Sequence, residues 1–191
     1  MILSFLKSLL MEIKFLINPK LIDAKFGYAH IENDMVKIDR PTYTDYLLIL
    51  KFRFLPLAVQ QTEIFADYLA HKTNKDLFTL WHFLRSNIKY VADEKGYFET
   101  IKLPNYMWHN RKSGGGDCED FALFVSAVLT NWKVPHELII EHLDETKAHI
   151  FVQTLDGIII DPCNGKFNKQ VRPNESKPLG IYKKTIQNFT V

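Results

Sequence analysis

The sequence predicts an α+β domain in which helices come first and an antiparallel sheet comes last. Three observations carry this. An amphipathic stretch begins at Asn74, a second helical pattern begins at Asp117, and beyond Pro135 three short apolar runs, HELIIEHL, AHIFVQTL and GIIIDPC, are separated by turn residues. With 191 residues, 47% of them hydrophobic and 24% charged, the chain suffices to bury one core of its own.

Taken in order, MILSFLKSLLMEIKFL carries Ile2, Leu6, Leu9, Ile13 and Leu16 at helical spacing, which predicts an amphipathic helix. Its stripe suits a core face, or else a membrane surface or a partner protein. Lys7, Glu12 and Lys14 break the apolar run, and no basic leader or small-residue cleavage site accompanies it, so we expect neither an export signal nor a transmembrane segment. Asn18 and Pro19 end this helix, and residues 20–44 read as irregular. Residues 45–72 are helical in pattern, with an interruption at Pro56. We therefore divide the chain into a helical N-terminal extension, residues 1–73, packed on a core of residues 74–191. The aromatic-rich extension is where a protein partner would bind.

In NKDLFTLWHFLRSNIKY, Leu77, Trp81, Leu84 and Ile88 share a stripe and Asn74 can cap the helix. Residues 92–116 then read as a polar loop long enough to suggest a functional role. The next helix runs from Asp117 to about Trp132, with Phe121, Ala122, Val125, Val128 and Leu129 on one face.

Net charge is +2 with the positive groups dispersed, so no stripe tracks a phosphate backbone and no nucleic-acid partner is expected. The two cysteines, Cys118 and Cys163, make no disulfide framework, and no CxxC or His-rich spacing predicts zinc. Free thiols fit a reducing, cytoplasmic setting.

The stretch SGGGDCEDFALF, residues 113–124, places Cys118 at a helix start. With Asp117 as N-cap and Asp120 at the third helical position, a capping-box-like arrangement forms and Cys118 becomes the first helical residue. The helix dipole and the free N–H groups there favour a thiolate and supply donors for an oxyanion. The acidic neighbours oppose ionisation of the thiol. Cys118 therefore needs an imidazole, and the imidazole an orienting group.

His149 and Asp161 fit those roles if they share a face of the last hairpin. A two-residue turn at Asp156 and Gly157 would pair 152 with 161 and put them on opposite faces. A three-residue loop, Leu155, Asp156 and left-handed Gly157 with a bulge, pairs 151 with 161 and 149 with 163, making His149 and Asp161 diagonal neighbours. The three-residue loop is the prediction. Without this pair, Cys118 would read as a small buried hydrophobe.

Cys163, by its register next to the site, is a rival nucleophile or a packing residue. His136 and His142 are strand histidines that titrate or fill space. Tyr90, Trp108 and Gln153 each offer a donor for an oxyanion hole, against ordinary packing roles.

LWHFLRSNIKYVAD, GGGDCEDFALFVSAVL, AHIFVQ and IIIDPC, in this order across residues 74–165, resemble the transglutaminase-like superfamily of papain-like cysteine enzymes, closest to the bacterial transglutaminase-like cysteine peptidases. The resemblance implies a papain-like core with the nucleophile helix packed on an antiparallel sheet. It implies Cys118 as nucleophile, His149 as general base and acid, Asp161 as the residue holding the imidazole, and a thioester acyl-enzyme. It also associates calcium with the acidic positions Asp117, Glu119 and Asp120, although helix capping explains those acids too; no other cofactor or metal is expected. The expected function is peptide or amide hydrolysis of a peptide or protein substrate. Transfer to an amine, which crosslinks proteins, and a non-catalytic scaffold or virion role stand as alternatives. Related compact domains occur in bacteriophages, so a virion-associated location is the alternative to the cytoplasm.

Overall fold

The computed structural model describes residues 22–23, 25–26, 34–39, 43–93, 98–142 and 148–169; the helix expected over residues 1–16 lies outside them. Helices and two small antiparallel sheets make up these residues, as an α+β class requires. Strand β1, Met35–Asp39, pairs with β2, Phe98–Lys102, with Met35 opposite Lys102. Both lie where the sequence reads as irregular or as loop. Each strand is five residues long and its partner is remote in the chain, so neither carries a hairpin signal.

Helix α1, Tyr43–Ile49, runs through a π-helical turn, Leu50–Phe54, into α2, Leu55–Thr73. Pro56 lies one residue into α2, directly after this π-helical turn, so the helical run changes character where the expected interruption falls and where a backbone N–H is missing. Asn74, left-handed at φ 52°, closes α2 through its N–H to the Ala70 carbonyl. The cap of α3, Leu77–Asn87, is accordingly Asp76 and not Asn74: its carboxylate accepts the Thr79 N–H at 2.7 Å. A short helix, α4, Pro104–His109, follows β2 and further fills the stretch expected to be loop.

Helix α5, Cys118–Asn131, is the centre of the molecule. Its residues from Glu119 to Leu129 are all buried, because α2 packs along one side and the C-terminal sheet along another. Phe65 of α2 meets Phe124 edge-on at 5.8 Å, and the Trp132 indole donates to the Ala66 carbonyl at 2.8 Å. The second sheet runs β3, His136–His142, then β4, Ala148–Thr154, then β5, Ile159–Ile160. No helix among the described residues is long and apolar enough to cross a membrane.

Candidate active site

The loop that leads into Cys118 is set by contact with residues 89–91. Gly116 N–H donates to the Lys89 carbonyl at 3.3 Å and the Gly116 carbonyl accepts from Val91 at 2.9 Å, a parallel bridge between Tyr90 and Gly116. A Cβ on Gly115 would lie 1.7 Å from the Lys89 oxygen, and one on Gly116 2.7 Å from Met107 and 2.8 Å from Asp120. These two glycines are what the close approach requires. The chain then enters α5 through the predicted capping box: Asp117 N–H donates to Asp120 Oδ2 at 3.1 Å, and the Asp117 carboxylate accepts the Asp120 backbone N–H. Cys118 becomes the first residue of the helix.

The last hairpin has the predicted register. Thr154 N–H donates to the Ile158 carbonyl, Gly157 is at φ 90°, and Val152 pairs with Ile160. His149 Nε2 lies 2.8 Å from Asp161 Oδ2, and both side chains are buried. This bond fixes the proton of neutral His149 on Nε2 and leaves Nδ1 as the basic nitrogen. Asp161 is itself held from α3. The Trp81 indole donates to its carbonyl at 2.8 Å, Arg85 Nη1 donates to the Pro162 and Cys163 carbonyls at 2.9 and 3.3 Å, and Cys163 N–H donates to Asp161 Oδ1 at 3.0 Å.

Helix α5 packs on β4, and the backbone N–H of Ile150, the residue after His149, faces the Cys118 sulfur. The thiol itself donates to Glu119 Oε2 at 3.2 Å. Burial, and then the Glu119 charge, push the Cys118 thiol well up, against the pull of the Ile150 N–H. The helix N-terminus alone does not make a thiolate here.

Asp93, Asp117 and Glu119 bring carboxylate oxygens within 4.8 Å of one another, a grouping that can hold a metal ion. This differs from the expected set. Asp120 is committed elsewhere, accepting Lys102 N–H at 2.7 Å and Lys102 Nζ at 3.3 Å as well as closing the capping box. Asp93 enters the grouping because its N–H donates to Asp117 Oδ2 at 3.2 Å, although its own carboxylate also accepts from Lys102 Nζ at 2.7 Å and from the Thr100 N–H. Burial raises Asp117, Glu119 and Asp120 above the usual carboxylate range; the Asp117 charge adds to it at Glu119 and Asp120, whereas at Asp117 hydrogen bonds with Glu119 and Asp120 work against it. Burial works against the Lys102 charge, but Asp120 and Asp93 outweigh it and keep the ammonium protonated. Asp117 Oδ1 is buried with no donor opposite it among the described residues. A proton shared with Glu119, or a cation, satisfies that oxygen.

The other sequence candidates separate clearly. Trp108 is fully buried and its indole donates to Asp23 at 2.9 Å, so it belongs to the core and not to an oxyanion hole. His136 is buried against Ser126 Oγ at 2.7 Å, and burial lowers its pKa, which leaves it a neutral core residue. His142 ends β3. Gln153 donates to the Gly157 carbonyl at 3.2 Å and caps the hairpin loop. Cys163 is held beside Asp161, and burial, then the Asp161 charge, push its thiol up. Tyr90 is half exposed at the site; burial, then the nearness of Cys118 and Asp117, keep its hydroxyl protonated and therefore a donor.

A groove of about 390 Å³ opens beside these residues, between the end of α3, Tyr90, Phe121 and Pro162. Sequence reasoning does not find it, because its walls join residues 81–90 to Phe121 and Pro162, three separate parts of the chain. Comparison with protein-family models, with curated proteins and with solved structures yields no match to this chain.

Proposed function

We propose that the chain is a transglutaminase-like cysteine hydrolase with a papain-like active-site arrangement, cleaving a peptide or amide bond through Cys118, His149 and Asp161. The observation that supports this most is the His149–Asp161 hydrogen bond at 2.8 Å, on the strand that packs against the helix beginning at Cys118. His149 Nδ1 takes the thiol proton and Cys118 Sγ attacks the carbonyl carbon, with Asp161 stabilising the imidazolium through Nε2. The oxyanion meets the free N–H groups at the start of α5, and Tyr90 offers a further donor. The imidazolium then protonates the leaving amine. Water adds to the thioester with His149 as base, and collapse releases the carboxylic acid and the thiol.

The Glu119 carboxylate opposes the first of these steps as long as it is charged and bound to the thiol. Asp93, Asp117 and Glu119 are the residues that would hold calcium, whose charge would offset theirs; the unpartnered Asp117 Oδ1 fits such a ligand role.

The test is alkylation of Cys118 and Cys163 by iodoacetamide as a function of pH, read by mass spectrometry, with and without calcium, in the wild type and in His149→Ala. The expected result is faster reaction at Cys118, with the advantage lost in His149→Ala. If the two thiols react alike in both proteins, the hydrolase reading fails and a scaffold role replaces it. Product analysis with and without a primary amine separates hydrolysis from crosslinking.

A further inference from the structure

The two sides of Cys118 are opposite in charge. On one side stand Asp93, Asp117 and Glu119. On the other, the groove at the end of α3 is lined by Arg85 and Lys89, and among the described residues no aspartate or glutamate contributes to it. Trp81, Ile88 and Phe121 add apolar surface, while Tyr90 and Pro162 connect the groove to the catalytic residues. Because the whole chain carries only +2, this polarity belongs to the site and not to the molecule at large.

We propose that this groove binds an acidic stretch of the substrate polypeptide next to the scissile bond, with Arg85 and Lys89 as its specificity-determining residues. The inference rests on the hydrolase reading for the word substrate, but the binding site stands on its own geometry. Arg85 is pre-ordered: its Nη1 is held by the Pro162 and Cys163 carbonyls, and its Nη2 makes no hydrogen bond among the described residues. A guanidinium fixed in this way offers a carboxylate its free edge at little cost in side-chain entropy. Lys89 is anchored by its backbone, N–H to the Arg111 carbonyl at 2.8 Å, and its ammonium forms no ion pair among the described residues. At about 390 Å³ the groove has room for a few side chains. That extent suits a peptide segment better than a nucleic-acid backbone, which needs a longer basic track.

The experiment uses the full chain carrying Cys118→Ala, so that no cleavage occurs, and fluorescence anisotropy with three labelled hexapeptides: Gly-Ala-Glu-Glu-Ala-Gly and its glutamine and lysine counterparts. The acidic peptide should bind about tenfold more tightly than the glutamine peptide, a preference of about 1.4 kcal/mol. Adding Lys89→Glu should abolish the preference without moving the melting temperature, since this side chain has no ion-pair partner to lose among the described residues. Arg85→Lys, which keeps the charge but not the planar fork, should weaken it part-way. High salt should weaken it as well. The proposal is overturned if the acidic and glutamine peptides bind alike, if none of the three binds, if Lys89→Glu leaves the preference intact, or if an octathymidylate outcompetes the acidic peptide at the same residues. The readout needs no thiol. Loss of binding in Lys89→Glu together with an ordinary Cys118 thiol would remove the hydrolase and keep the groove, and a reactive Cys118 with no peptide preference would do the reverse.

Discussion

Replacing Gly115 with alanine tests whether the loop before Cys118 depends on its contact with residues 89–91. The new Cβ would lie 1.7 Å from the Lys89 carbonyl oxygen, a backbone atom that no side-chain rotation can move. Reaching ordinary contact requires the two segments to part by roughly 1.5–2 Å. That separation breaks the Gly116–Lys89 and Val91–Gly116 hydrogen bonds. At about 1 kcal/mol for each bond and at least 1 kcal/mol for overpacking, the total is about 3 kcal/mol. For a chain of this size that is a fall of roughly 6–12 °C in melting temperature. Gly114→Ala is the control, since its Cβ meets Asn110 Cβ at 3.1 Å and the Tyr106 hydroxyl at 3.2 Å and so asks only for shifts of a few tenths of an ångström. Thermal and urea unfolding of both variants, with the Cys118 alkylation rate, make the comparison. If Gly115→Ala melts within about a degree of wild type, or no lower than Gly114→Ala, the close approach is not what places Cys118.

Two further outcomes come from the electrostatics. Raised carboxyl groups at Asp117, Glu119 and Asp120 mean that the folded protein retains protons that the unfolded chain releases. The stability they contribute is full below the unfolded carboxylate range and is lost as pH rises through the folded values. Cation-free protein should therefore melt lower at about pH 8 than at about pH 5, and millimolar calcium should raise the melting temperature more at the higher pH. A calcium effect equal at both, or absent, counts against the acidic cluster as a cation site. Asp161→Asn keeps the shape beside His149 but removes its charge, so the imidazolium loses its partner. The alkylation advantage of Cys118 over Cys163 should shrink at least about tenfold with little change in fold, and an unchanged advantage would separate Asp161 from the chemistry.

What the sequence reveals here is mostly local. The capping box at Asp117 and Asp120 is visible because both partners lie within one helical turn. The register of His149 against Asp161 is visible because Gly157 dictates the loop between them. Contacts made across the chain leave no such trace. The pairing of β1 with β2 joins residues 35–39 to 98–102, and it is this pair that brings Lys102 against Asp93 and Asp120. Without it Asp93 looks like an ordinary loop acid, and Asp120 looks as available to a cation as Glu119. Trp108 misleads for the same reason: a tryptophan in an apparent loop suggests a site wall, until α4 turns it into the core. The swap of caps between Asn74 and Asp76 reflects two helices meeting end to end, where one turn must both close and open a helix.

Helix α3 grips the residues after β5 at three backbone carbonyls, those of Asp161, Pro162 and Cys163, through Trp81 and Arg85. Because β5 has two residues, the sheet by itself does little to aim the chain beyond Ile160. The bearing of Asp161 is inherited from a helix more than seventy residues upstream. A truncation that spared residues 118–161 but discarded α3 would keep Cys118, His149 and Asp161 and lose the contacts that align Asp161. The smallest unit that holds this arrangement is thus defined by its scaffolding hydrogen bonds as much as by the residues they aim.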